Sequence, residues 1–112
     1  MAVVAITLLP WGLAGDTLAA TVEVLYGDRW KAIPSEVFRG KEYVPLDQVA
    51  AVTDASVQRA NGRFLLRLPK GVLALTENIP RIQVGSREVA LGAPPVLRKG
   101  QVWVPLEVLT IA

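Results

Sequence analysis

Gly40-Lys41-Glu42-Tyr43-Val44-Pro45-Leu46-Asp47 and Gly100-Gln101-Val102-Trp103-Val104-Pro105-Leu106-Glu107 are two copies of one pattern: glycine, two residues, an aromatic, Val-Pro-Leu, then an acid. A repeat of this kind lays down the same supersecondary unit twice, so it constrains architecture before it says anything about chemistry. Proline after a β-branched residue suits the first turn of a helix, and an acid close behind it meets the positive end of the helix dipole. Each copy therefore predicts a short strand running into a Pro-started helix.

Between and around the copies, two-residue turns separate alternating segments. Gly27-Asp28 joins residues 22–26 to 29–33, which pairs Tyr26 with Arg29, Leu25 with Trp30 and Val24 with Lys31. Asn61-Gly62 suits a type I′ turn, where both central residues take positive φ. Pairing outward from it places Arg59, Phe64, Val57 and Leu66 on one face, with Gln58, Arg63, Ser56 and Arg67 on the other. Around Gly85-Ser86, Val84, Ile82 and Val89 share one face, while Gln83, Glu88, Arg81 and Ala90 share the opposite one. Such alternation is what a sheet shows when one side meets a core and the other meets water.

The first copy predicts a strand at 42–44 and a helix over 45–53, with Leu46, Val49, Ala50 and Val52 as its apolar side. That helix is too short to stand alone and must pack on the sheet. In the second copy, a strand at 102–104 leads to a helix from Pro105 that reaches Ala112 with no Gly, Asn or basic residue to end it. The expected fold is therefore α+β: an antiparallel sheet of β-hairpins carrying one full helix and one truncated helix, with a two-fold internal repeat. A helix left open in this way implies a domain cut from a longer chain.

At the other end, Ala2 to Leu9 is a mostly apolar run followed by small-residue sites at Gly12-Leu13-Ala14 and Leu18-Ala19-Ala20. Residues 1–20 read either as a signal peptide or as an N-terminal strand, and residues 21–112 as the folded domain. No stretch approaches the ~20 apolar residues that a membrane-spanning helix needs.

Composition narrows the chemistry. With 12 basic and 10 acidic residues the net charge is +2, too balanced for the basic stripe of a nucleic-acid binder. The chain has neither cysteine nor histidine. It thus offers no disulfide, no thiolate nucleophile and no imidazole ligand or base, which removes Ser-His, Cys-His and zinc-hydrolase chemistry. No paired-carboxylate or Gly-rich phosphate motif supports a metal, a cofactor or a nucleotide. The chain is read as not itself an enzyme, with no cofactor.

The strand–Val-Pro-Leu–helix–hairpin unit, used twice, resembles the copper amine oxidase N-terminal-like domain family. The matching residues are Pro34 with Arg39-Gly40-Lys41-Glu42-Tyr43-Val44-Pro45-Leu46, then Asn61-Gly62; the second set is Gly85-Ser86-Arg87-Glu88-Val89, Pro94-Pro95 and Gly100-Gln101-Val102-Trp103-Val104-Pro105-Leu106. The resemblance spans roughly residues 21–112. It implies a secreted, non-catalytic α+β module of bacterial cell-envelope proteins, often ahead of an enzymatic domain such as an N-acetylmuramoyl-L-alanine amidase. The copper of the family name belongs to another domain, and this chain without histidine has no copper ligands to offer. Where the family's first helix ends in Leu-Gly-Ala, this chain has Thr53-Asp54-Ala55.

Two groups of side chains are candidates for ligand binding. Trp30 between Arg29 and Lys31 could take an anionic glycan by stacking and charge, or could simply cover Leu25 across the hairpin. Arg63 and Arg67, with Ser56 and Gln58 beside them and Arg59 and Lys70 near, form either a positive face for an anionic wall polymer or an ordinary solvated sheet face. Tyr43 and Trp103 are sugar platforms, or each fills the same slot under its own helix. Asp47 and Glu107 read as helix N-terminal charges.

Together these readings predict a secreted module that targets a cell-wall hydrolase to peptidoglycan, its partners being wall polymer or the adjacent catalytic domain. The alternative is a structural domain that forms a homodimer through a sheet edge.

Overall fold

A computed structural model describes the backbone of residues 2–14, 17–69 and 71–111 and the side chains of 21–69 and 71–111. In chain order the elements are β1 (Ala2–Ala14), β2 (Thr17–Tyr26), β3 (Arg29–Phe38), β4 (Lys41–Pro45), α1 (Leu46–Thr53), β5 (Ser56–Ala60), β6 (Arg63–Leu68), β7 (Gly71–Thr76), β8 (Arg81–Val84), β9 (Arg87–Ala90), β10 (Val96–Arg98), β11 (Gln101–Pro105) and α2 (Val108–Ile111). The class is α+β, mostly antiparallel strand with two short helices.

The strands form two sheets rather than the expected one: a six-stranded sheet ordered β1-β2-β3-β4-β11-β10 and a five-stranded meander of β5 to β9. The reason lies in the faces. On β6 to β8 the buried set is Phe64, Leu66, Leu73, Leu75 and Ile82; on β2, β3, β4 and β11 it is Val22, Val24, Ile33, Val44, Val102 and Val104. Both sets join one cluster with Leu46, Val49, Ala50 and Val52 of α1 and with Val108 and Leu109 of α2. Two apolar faces of this size leave water most completely by covering each other.

All three expected hairpins form in the expected register, with Leu25 opposite Trp30, Arg59 opposite Phe64 and Ile82 opposite Val89. Two further hairpins turn at Arg39-Gly40 and Lys99-Gly100, where positive φ at both residues marks type I′ turns. Arg39 at φ 52 and Lys99 at φ 52 are L-residues in left-handed conformation, which Asn tolerates better. Lys99→Asn should therefore raise stability by about 0.5–1 kcal/mol, read from the urea midpoint; an unchanged midpoint would remove the strain argument.

The two Val-Pro-Leu copies meet directly, because β4 pairs with β11 and Val44 lies opposite Val104. Their helices differ. Pro45 is the N-cap of α1 at φ −66 and ψ 135, so the helix begins at Leu46, one position after the expected start, and Asp54 ends it at φ 56. In the second copy Leu106 and Glu107 form a turn, so the expected helix from Pro105 begins only at Val108. Asp47 sits in the first turn of α1 as expected, whereas the Glu107 carboxylate instead accepts the Gly92 N–H.

One core position is polar without satisfaction. Ser35 shares the inward side of β3 with Ile33 and is 1% exposed, and its Oγ has no hydrogen-bond partner among the described residues. A buried hydroxyl left unpaired costs about 1–3 kcal/mol, so Ser35→Ala is expected to stabilise the fold by ~1 kcal/mol in a denaturant titration. A net loss would mean that the hydroxyl is bonded in solution.

Candidate functional site

The β2–β3 hairpin carries the first candidate group. Side chains alternate along a strand, and Val24, Val22 and Ile33 define the inward side. In that phase Arg29 and Lys31 lie on the Tyr26 side, while Trp30 lies with Leu25 on the opposite face. The strand thus sends the indole to one face and the two cations that flank it in sequence to the other, while all three border one groove at the hairpin. A groove of about 240 Å³ runs beside this hairpin, bordered by Tyr26, Arg29, Trp30, Lys31 and the end of α1 at Val52 and Asp54. Arg29 reaches Asp54 at 3.6 Å, so much of its charge is answered locally. Lys31 is exposed and makes no ion pair among the described residues. Trp30 is 57% exposed, the most open of the large apolar side chains described.

The second group lies on the outer face of the five-stranded sheet. Arg63 and Arg67 are two turns of alternation apart on β6, on the side away from Phe64 and Leu66. Opposite them stand Ser56 and Ala60 on β5, then Val72 and Thr76 on β7. Arg67 donates from Nε to Gln58 Oε1 at 3.2 Å. Arg59 is not part of this face; it lies on the Phe64 side and reaches Asp47 at 3.8 Å. Lys70 lies outside the described residues.

A third guanidinium, Arg81, joins the same face from β8, next to Ala74 and Thr76, and pairs with Glu88 at 3.1 Å. Reading the hairpins separately missed it, although small polar-face residues on β7 signal that its two neighbours can be bridged. Arg63 is the shared wall of two shallow depressions. One, of about 540 Å³, holds Gln58, Ala60 and Leu65; the other, of about 250 Å³, holds Ala74, Thr76 and Arg81. Arg63 makes no hydrogen bond or ion pair among the described residues, so its charge is available to a ligand.

Tyr43 and Trp103 lie on the face of β4 and β11 opposite Val44 and Val104, so neither fills a slot under its helix. Tyr43 is 4% exposed, donates its hydroxyl to the Pro94 carbonyl at 2.9 Å and meets the Phe38 ring edge-on at 6.4 Å. It therefore has no open face for a sugar. The Arg98 guanidinium lies 4.7 Å from the Phe38 centroid and 3.6 Å from Glu36. Burial pushes the Tyr43 phenol above its ordinary pKa, opposed by the nearby Arg39 charge, and burial likewise raises the Glu42 carboxyl.

Among the described residues no cluster of acidic side chains is arranged to hold a metal ion, and no helix is long and apolar enough to cross a membrane. The sequence matches no protein-family model, and comparisons with curated proteins and with solved structures return no match.

Proposed function

We propose that this chain is a non-catalytic cell-envelope module that holds a cell-wall hydrolase, on the family resemblance an N-acetylmuramoyl-L-alanine amidase, against peptidoglycan. The observation that carries this reading is the outer face of β5 to β9. Arg63, Arg67 and Arg81 stand over small or uncharged neighbours, and among the described residues Glu88 is the one carboxylate paired with them. A flat face with spaced guanidiniums suits an extended polymer bearing carboxylates, because several weak charge contacts add along its length. In this reading the Val-Pro-Leu copies are an internal duplication whose two strands meet at Val44 and Val104.

The test is co-sedimentation with purified peptidoglycan. The chain should pellet saturably and be released by rising salt, while Arg63→Ala/Arg67→Ala should pellet no more than an unrelated protein of similar charge. Equal pelleting by the double variant would defeat the assignment. A second reading, self-association through a sheet edge, draws on β5 and β9, each of which has one unpaired side. Sedimentation velocity separates the two, since a monomer at the highest soluble concentration removes edge pairing.

A further inference from the structure

The hairpin groove carries an inference that does not depend on the basic face. β2 pairs with β3 along its whole length, from Arg29 to Phe38, but β4 pairs only with Glu36 to Phe38. Among the described residues, β3 therefore has a strand on one side only from Arg29 to Ser35. The two-residue turn at Gly27-Asp28 is closed by Tyr26 and Arg29, which makes that pair the hydrogen-bonded one. Alternation then turns the backbone groups of Lys31 and Ile33 toward β2, and those of Trp30, Ala32 and Pro34 toward the open side. None of the turn, loop or cap hydrogen bonds among the described residues engages these groups. Trp30, Ala32 and Pro34 are exposed, so the edge is open to solvent.

The geometry points to this edge as a strand-addition site for an extended acidic peptide. The N–H and C=O of Trp30 and Ala32 and the C=O of Pro34 supply the ladder, and Pro34, with no N–H, sets its end. Residues of the added strand beside Trp30 and Ala32 lie on the outer face against the exposed indole, which favours apolar side chains there. The residue between them faces the opposite way, toward Lys31, which favours a carboxylate. The recognised pattern is thus apolar–acidic–apolar in extended conformation. A second copy fits less well. Antiparallel pairing of two β3 edges centred on Ala32 places Pro34 opposite Trp30 twice, so two ladder donors are missing, and it crowds two Lys31 ammoniums.

The test is an amide-resolved NMR titration of the chain with a capped eight-residue peptide alternating valine and glutamate. The expected result is saturable shifts with slowed amide exchange at Trp30 and Ala32. Lys31→Glu should weaken binding at least tenfold, and N-methylation of the peptide's ladder amides should abolish it without altering the protein. Arg63→Ala/Arg67→Ala should bind the peptide as the parent chain does, which separates this site from the wall-binding face. The proposal is overturned by absence of saturable shifts, or by equal binding of an alternating valine–lysine peptide. It also fails if N-methylation has no effect, or if Trp30 and Ala32 amides are already protected in a concentration-dependent dimer.

Discussion

Leu109→Ala is expected to lower the unfolding free energy by about 2–5 kcal/mol, the range for emptying a fully buried leucine site. The size of the effect is informative because α2 has only four residues and no intrinsic stability. Its backbone is held by short-range bonds, Leu109 N–H to the Leu106 carbonyl at 3.0 Å and Thr110 N–H to the Glu107 carbonyl at 3.0 Å. What fixes it is burial: Val108 and Leu109 are 0% exposed and belong to the cluster that both sheets share. A cavity there is lined from several directions, so collapse can recover little of the lost contact. Urea unfolding with linear extrapolation gives the number, and Thr110→Ala on the exposed side serves as control, expected to change stability by no more than about 0.5 kcal/mol. A Leu109→Ala loss below ~1 kcal/mol would place α2 outside the core and make the fold's second helix dispensable.

What the sequence disclosed and what it hid follow from the range of each signal. Hairpin registers were legible because a two-residue turn and period-two alternation fix every pair outward from the turn, as at Asn61-Gly62 and Gly85-Ser86. Alternation says which residues share a face but not which faces meet, and so it merged two sheets into one. β10 was hidden for a local reason. Its three residues are too few to show a period, and Lys99 in left-handed conformation lacks the Asn or Asp that advertises a type I′ turn.

The same limit shaped the candidate site. Arg29, Trp30 and Lys31 are neighbours in sequence, yet a strand sends neighbours to opposite faces, so what they share is the border of one groove rather than one face. Arg63 and Arg81 are distant in sequence and are joined only through Thr76 of β7. The repeat was legible as a pattern, but equivalence of sequence did not carry equivalence of role. Asp47 opens a helix, whereas Glu107 holds the Gly92 amide of a loop that its counterpart never meets.

That loop is where the second large effect is expected. Beyond Leu91, whose N–H donates to the Pro80 carbonyl at 2.9 Å, residues 92–95 carry the chain back to the other sheet, and three further contacts fasten them. The Tyr43 hydroxyl donates to the Pro94 carbonyl at 2.9 Å, the Asn78 N–H donates to the Pro95 carbonyl at 2.9 Å, and Glu107 accepts from Gly92. Tyr43→Ala removes both a hydrogen bond and a ring packed against Phe38, and should destabilise by about 3–5 kcal/mol. Tyr43→Phe keeps the ring and leaves only the Pro94 carbonyl without its donor, so about 0.5–1.5 kcal/mol is expected. The gap between the two variants separates packing from hydrogen bonding at one position. If the three contacts act as one clasp, Tyr43→Phe combined with Glu107→Ala should depart from additivity by at least ~0.5 kcal/mol, because a loop already released at one end has less to lose at the other. Strict additivity would mean that the loop is held independently at each point, and the link between the sheets would then rest on their shared apolar core alone.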